Sequence, residues 1–126
     1  MTTRQDIPKL SLFPLAAEVS EGGCLIIGGC DSVELVAEFG TPLYVFDELD
    51  LRSRCAEFKE EFGQRYADTT VIYACKAFIN KSLAFILQEE GLGLDVVSAG
   101  EIGIAQSAGF PLDRVYFHGN NKSAEE

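Results

Sequence analysis

The stretch TTVIYACKAF, residues 69–78, is typical of a buried β-strand, yet it contains one lysine, Lys76. β-Branched and aromatic residues favour strands. Because side chains alternate along a strand, Ile72, Ala74 and Lys76 are predicted to share one face. A lysine inside an apolar run is costly unless its amine is used. This stretch therefore predicts both a strand and a candidate functional residue.

The segments around this stretch alternate between strands and helices from residue 41 onward. The predicted strands are TPLYVFD, TTVIYACKA, GLDVVS and RVYFHG, and the predicted helices are ELDLRSRCAEFKEEF, NKSLAFILQEEG and AGEIGIAQSAG. Strands separated by helices of about 10 to 15 residues indicate a parallel sheet with right-handed crossovers. The near-continuous apolar character of the strands predicts that both faces of the sheet are covered.

The ends of the predicted helices carry capping residues. Asp47 and Asn80 are predicted N-caps, and Ser98 with Glu101 forms a capping box. In the first of these helices, apolar residues recur at spacings of three and four and predict one buried stripe. The residues of that stripe are Leu51, Cys55, Phe58 and Phe62.

The first forty residues have a different pattern. LSLFPLAAEV and GCLIIGG are predicted to be short β segments around a turn at residues 21–23. DSVELVAEFG is predicted to be a short helix, with Asp31 as its N-cap and Gly40 at its end. We assign this region to another layer or domain.

Composition narrows the class of protein. A chain of 126 residues with 47% apolar residues accommodates one ordinary domain with a real core. Its net charge of -10 disfavours nucleic acid and anionic membranes as partners. The sequence shows neither a signal sequence nor a membrane span, so a cytoplasmic location is expected. Four cysteines without a C-x-x-C pair and a single histidine argue against a metal site.

Four polar residues are candidates for a site at the carboxyl ends of the predicted strands. Lys76 ends one strand, Asp95 lies in the next, and His118 and Asn120 follow the last. Active sites of parallel α/β folds gather at these ends, where a desolvated lysine is a good nucleophile. Each residue also has a plainer interpretation: an amine that reaches solvent, a structural ion pair, or turn residues.

Several long blocks of the sequence resemble one enzyme family. GTPLYVFDELDLRSRC, YACKAF, EEGLGLDVVSAGE and GFPLDRVYFHGNNKS are similar, in this order, to the diaminopimelate decarboxylases. The resemblance runs from about Cys24 to Glu126. It implies a pyridoxal 5'-phosphate enzyme that converts meso-diaminopimelate, its amino acid substrate, to L-lysine and carbon dioxide, and that forms a homodimer at full length.

The resemblance also implies residue roles and a fold. Lys76 would hold the cofactor covalently, Asp95 would be the family's acid near it, and His118 and Asn120 would lie at the rim of the cofactor pocket. The fold class implied is α/β: a partial (β/α)8 TIM-type barrel of about four βα units in residues 31–126. Residues 1–30 would be an N-terminal β segment that belongs to a second, β domain.

One departure from the family pattern affects the expected activity. An eight-stranded barrel takes roughly 250 residues, and the family's glycine-rich phosphate loop and substrate-binding arginine have no counterpart here. Ser123 and Glu126 are also spaced like a capping box that begins another helix. We therefore expect the chain to be the N-terminal part of the enzyme and inactive alone. The alternatives are another basic amino acid decarboxylase of the same fold, or a truncated non-catalytic product.

Overall fold

The computed structural model describes residues 9–126, and the chain divides into two compact units, 1–53 and 54–126. The described part of each unit contains one three-stranded sheet, antiparallel in the first and parallel in the second. The predicted domain boundary after residue 30 stays a prediction. Across the described residues, none of the helices is long and apolar enough to cross a membrane.

The sheet of the first unit contains β1 (Glu18–Val19), β2 (Leu25–Ile27) and β3 (Cys30–Asp31), paired antiparallel in that order. Between β1 and β2, Gly23 has a φ of +82°, a conformation that glycine adopts without strain. The predicted pair of β segments around this turn is confirmed. The predicted strand character of Leu10–Leu12 is wrong, because these residues form one turn of 3-10 helix.

Helix α1 (Ser32–Phe39) confirms the predicted short helix and both of its ends. The Asp31 carboxylate accepts a hydrogen bond from the Val33 N–H at 2.7 Å, and so satisfies one of the unpaired donors of the first turn. The helix ends at Gly40, whose φ is +78°. None of its residues is buried within the described structure.

Helix α2 (Glu48–Gly63) confirms Asp47 as its N-cap, since the Asp47 carboxylate accepts from the Asp50 N–H at 3.1 Å. The prediction that its apolar stripe is buried is wrong for most of its length. Only Cys55 is buried, while Phe58 and Phe62 stack on each other and stay about half exposed. Spacing identifies an apolar face but does not supply the surface that covers it.

The predicted first strand of the α/β region is also wrong, because residues 41–46 belong to no sheet. A strand requires a ladder of backbone hydrogen bonds with a neighbour, and no ladder of the described structure includes this segment. Tyr44 and Phe46 remain largely exposed. The high β-propensity of the segment is therefore not sufficient to form a strand.

The second unit contains β4 (Ile72–Ala74), β5 (Gly93–Val96) and β6 (Val115–Phe117), all parallel, with β5 in the centre. Helices α3 (Lys81–Glu89) and α4 (Ala99–Ser107) connect them, capped by Asn80 and Ser98 as predicted. A turn of 3-10 helix, Leu112–Arg114, precedes β6. This part confirms the predicted α/β class, although each strand is shorter than predicted.

The two faces of the parallel sheet differ in burial. On one face Leu94 and Val96 of β5 are completely buried, and the buried residues of the two helices, Leu83, Ala84, Leu87 and Ala105, complete this core. On the other face Ile72 and Tyr116 are exposed by 38% and 47%. The prediction that both faces are covered is therefore wrong for the described residues. The open face is also the one that carries Asp95.

Candidate functional site

Lys76 lies in a turn just beyond β4 and not within the strand as predicted. The ladder ends where the Cys75 N–H donates to the Asp95 carbonyl at 2.9 Å. The chain then turns, and the Ala77 N–H donates to the Ala74 carbonyl at 3.1 Å. The Lys76 side chain is exposed. The turn places Lys76 at the carboxyl edge of the sheet.

A hydrogen bond from Tyr73 closes the turn that carries Lys76. The Tyr73 hydroxyl donates to the Phe78 carbonyl at 2.8 Å and so bridges the turn. Burial raises the pKa of Tyr73, and the nearby thiols of Cys75 and Cys55 raise it further. The phenol therefore stays protonated and keeps its donor. This hydrogen bond stabilises the backbone of the turn that carries Lys76.

A cleft of about 490 Å³ opens at this edge of the sheet. It is lined by Lys76, Val97, His118, Gly119, Asn120, Asn121, Lys122 and Glu126. Three of the four predicted site residues, Lys76, His118 and Asn120, therefore lie in one cleft. They meet because the carboxyl ends of parallel strands lie at the same edge of a sheet.

Asp95 is the fourth predicted residue and lies just outside this cleft. Its backbone is opposite Ala74 in the β4–β5 register, so its side chain is on the open face of the sheet. Its Oδ1 atom is 3.7 Å from Nδ1 of His118. No ion pair joins Asp95 to Lys76 in the part of the chain that the structure describes. Within these residues the Asp95 carboxylate can orient the imidazole of His118. The attraction between the two groups is strongest when the imidazole carries a positive charge.

Five residues of the cleft are not among the predicted site residues, and two of them, Val97 and Lys122, have contacts that fix their positions. The Val97 N–H donates to the Glu101 carboxylate at 2.8 Å, while the Glu101 N–H donates to the Ser98 hydroxyl at 3.3 Å. The Ser98 half of the predicted capping box is confirmed, while the Glu101 carboxylate accepts from the N–H of Val97, one residue before the N-cap. The capping box therefore also fixes one wall of the cleft, a function that the sequence alone could not assign.

Lys122 reaches the cleft because the chain folds back after β6. Gly119 has a φ of +147°, and its carbonyl accepts a hydrogen bond from the Lys122 amine at 2.8 Å. The amine also lies 4.7 Å from the centre of the Phe117 ring, within range of a cation–π interaction. In the sequence, the feature that could have identified Lys122 as a site residue is its position directly after the HGNN stretch, residues 118–121.

The buried thiol next to the lysine has altered acidity. Burial raises the pKa of Cys75 to about 11, and the charges of Glu101 and Asp95 add to the effect. A raised pKa means that the folded protein favours the neutral thiol. The neutral Cys75 thiol therefore makes its full contribution to the free energy of unfolding below the ordinary thiol pKa. This contribution is lost as the pH rises through about 11.

We expect Cys75 to resist alkylation in the native protein at pH 8. Only the thiolate reacts, and at that pH Cys75 is almost entirely a neutral, buried thiol. Cys30 is exposed and provides the internal control. Iodoacetamide labelling followed by peptide mass spectrometry should modify Cys30 at least about tenfold faster. Equal rates for the two thiols would contradict the burial of Cys75.

Among residues 9–126 no group of three or more His, Cys, Asp or Glu side chains is arranged to hold a metal ion. The cleft instead offers amines, carboxamides and an imidazole. These groups suit a ligand that combines a reactive carbonyl with anionic groups, because an amine can condense with the carbonyl and the donors can bind oxygen anions.

Comparison with known families gives a match over most of the chain. The family model described as pyridoxal-dependent decarboxylase, pyridoxal binding domain, matches residues 48–126. That range contains the second half of the described structure and all the residues of the cleft.

Individual relatives give a consistent result. The chain is 48% identical to the diaminopimelate decarboxylase of Bacillus methanolicus over 114 residues, which cover 90% of this chain and 26% of that protein. It is also 48% identical to the diaminopimelate decarboxylase of Methanothermobacter thermautotrophicus over 115 residues, covering 91% of this chain and 27% of that protein. The chain thus spans about a quarter of the length of these relatives.

Solved structures share the fold. The diaminopimelate decarboxylase of M. jannaschii in complex with L-lysine matches 89% of this chain and 26% of its own, with a TM-score of 0.76 and 34% identity. AQ1208 of Aquifex aeolicus matches 87% of this chain and 26% of its own, with a TM-score of 0.72 and 36% identity.

Proposed function

This chain belongs to the pyridoxal-dependent decarboxylases, and we propose that it is the lysine-bearing part of an enzyme that converts meso-diaminopimelate to L-lysine and carbon dioxide. The observation that carries the proposal is the exposed Lys76 amine in a cleft with His118 and Asn120, at the carboxyl edge of a parallel sheet. The names and identities of the relatives support the choice of substrate.

The residues of the cleft fit pyridoxal 5'-phosphate. Lys76 would hold it through its amine, because a lysine amine condenses with an aldehyde. When bound, this cofactor accepts the electron pair that carbon dioxide leaves behind. Asn120 can donate its amide N–H groups to oxygen atoms of the cofactor or the substrate. His118 lines the cleft with Nδ1 3.7 Å from the Asp95 carboxylate, and its imidazole would contact the bound ligand.

We further propose that residues 31–126 form the first part of a (β/α)8 barrel and that residues 1–30 belong to a β domain. The parallel order of β4, β5 and β6, the helices that connect them and an open sheet face support the barrel. In a closed barrel, further strands would cover Ile72 and Tyr116. Full-length relatives leave room for these strands, since this chain spans 26% of their length. The short antiparallel sheet supports a separate β layer.

An activity assay of the full-length protein tests this function. The purified protein, loaded with pyridoxal 5'-phosphate, is supplied separately with meso-diaminopimelate, L-lysine, L-ornithine and L-arginine, and carbon dioxide release is measured. We expect release from meso-diaminopimelate alone. Preferential release from one of the other amino acids would show a different basic amino acid decarboxylase, and the absence of release from all of them would contradict the proposal.

We propose that the full-length enzyme is a cytoplasmic homodimer and that residues 1–126 alone are inactive. The chain supplies the amine but spans a quarter of the length of its relatives, so the remaining groups that hold cofactor and substrate are expected from the rest of the protein. Sedimentation of the full-length protein tests whether it is a dimer. Turnover by the 126-residue chain at a rate similar to that of the full-length protein would contradict the proposal that the chain alone is inactive.

Changing Asp95 to asparagine in the full-length enzyme is expected to lower turnover about ten- to a hundredfold while the fold persists. The amide keeps the size of the side chain but removes the charge that lies 3.7 Å from the His118 imidazole. Turnover is measured across a range of pH so that the comparison of the two proteins does not depend on one condition. An unchanged rate and pH profile would show that Asp95 is not part of the site. Asp113→Asn, on the exposed 3-10 turn, is the control.

A further inference from the structure

The cleft has more basic than acidic side chains, although the chain as a whole has twice as many acidic as basic residues. The chain has ten Lys and Arg residues against twenty Asp and Glu, yet two lysines, Lys76 and Lys122, line this one cleft. Glu126 is the single carboxylate among the lining residues. It accepts hydrogen bonds from the N–H and the hydroxyl of Ser123, at 3.0 and 3.1 Å. These bonds lower the pKa of Glu126 and engage its Oε2 atom, and the nearby Lys122 charge lowers that pKa further.

The Lys122 amine has a defined position and unused donors. One of its N–H groups bonds to the Gly119 carbonyl, and the Phe117 ring lies beneath the charge. An ammonium group has three donors, so two remain to bind a ligand in the cleft. The amine is placed by backbone and ring contacts, and therefore little side-chain freedom is lost when an anion binds.

We propose that Lys122 is the second cation of the cleft and binds a negatively charged oxygen atom of a ligand. The carbonyl group or the amine of the same ligand would lie at Lys76. This inference rests on the proposed function and adds a specificity residue to it. Two groups share the required chemistry: the phosphate of the cofactor and a carboxylate of the amino acid substrate. A charge-assisted hydrogen bond from Lys122 would suit either group.

Aldehyde probes test the inference without turnover. In the full-length protein freed of cofactor, the Lys76 amine adds to the probe carbonyl, a C=N bond forms and the oxygen leaves as water. Cyanoborohydride then transfers hydride to carbon and fixes the adduct as a secondary amine. The rate at which the Lys76 peptide gains mass is measured with two anionic probes, glyoxylate and pyridoxal 5'-phosphate. Their uncharged counterparts, glycolaldehyde and pyridoxal, are measured in parallel.

Lys122→Gln is expected to slow labelling by at least one anionic probe about fivefold and to leave both uncharged probes within about twofold of the unchanged protein. A loss with pyridoxal 5'-phosphate alone identifies the cofactor phosphate, and a loss with glyoxylate alone identifies a substrate carboxylate. Lys122→Arg, which keeps the charge, should retain most of the rate. Lys59→Gln removes the same charge from an amine that bonds to the Glu90 carbonyl and should leave all four rates unchanged.

Three results would overturn the inference: no change in Lys122→Gln, an equal loss with charged and uncharged probes, or an equal loss in Lys59→Gln. Absence of labelling of Lys76 by uncharged pyridoxal in the unchanged protein would instead contradict the proposed function, and the inference with it. The two failures are therefore distinguishable.

Discussion

Replacement of Lys76 by alanine in the full-length enzyme is expected to lower turnover by about 10³-fold or more and to remove covalently held cofactor. Lys76 has an exposed amine in the cleft, in a turn that the Tyr73–Phe78 hydrogen bond holds in place. Alanine removes the proposed nucleophile, whereas the hydrogen bonds of the strand and the turn are made by backbone atoms and by Tyr73. The loss should therefore appear in chemistry and not in folding.

The test combines activity, covalent mapping and stability. Borohydride reduction of the cofactor-loaded enzyme should place a pyridoxyl group on the Lys76 peptide, and Lys76→Ala should lose it. The cofactor-free forms of the two proteins should have the same thermal midpoint, because bound cofactor would itself raise it. Lys81→Ala removes an exposed lysine that does not line the cleft and is expected to keep full activity. A pyridoxyl group on another lysine of the unchanged enzyme would rule out the assignment of Lys76.

Helix boundaries were predicted well because they depend on local chemistry. Asp31, Asp47, Asn80 and Ser98 each accept a hydrogen bond from an N–H in the first turn of the helix that follows. Such a bond joins residues two or three positions apart, so a single sequence contains all the information that it requires. The same reasoning identified the hairpin turn before β2.

Predictions that depended on distant partners failed. Within the described residues, 41–46 have the composition of a strand but no ladder, and Phe58 and Phe62 have the spacing of a core stripe but stay about half exposed. Both features need a surface from elsewhere in the chain or beyond it. Local composition cannot report whether that surface is present, and the open face of the parallel sheet at Ile72 illustrates the same point.

The candidate site was predictable in its membership and less so in its geometry. The rule that carboxyl ends of parallel strands meet at one edge brought together Lys76, His118 and Asn120, which the structure places in one cleft. The exact contacts depended on how each strand ends. Asp95 lies beside His118, and Lys122 enters through a turn at Gly119 whose backbone conformation the sequence did not specify.

Leu94→Ala is expected to destabilise the protein by about 2 to 5 kcal/mol, which corresponds to a thermal midpoint lower by roughly 5 to 15 °C. Leu94 lies in β5, the central strand, and its side chain is completely buried on the helix-covered face. Truncation leaves a cavity between the sheet and the helices, because strands paired on both sides cannot move to fill it. That cost is a large fraction of the stability of a typical domain, about 5 to 15 kcal/mol.

The open face of the same sheet provides the matched comparison. Ile72→Ala removes a side chain of similar size from β4, but Ile72 is 38% exposed and leaves no enclosed cavity. If the described residues were the whole environment of Ile72, its replacement would cost about 1 kcal/mol or less. In a closed barrel, where further strands would cover this face, the cost should approach that of Leu94→Ala. The ratio of the two midpoint shifts in the full-length enzyme therefore measures whether the face that carries Asp95 is enclosed. A small effect of Leu94→Ala would contradict the buried position of β5 itself.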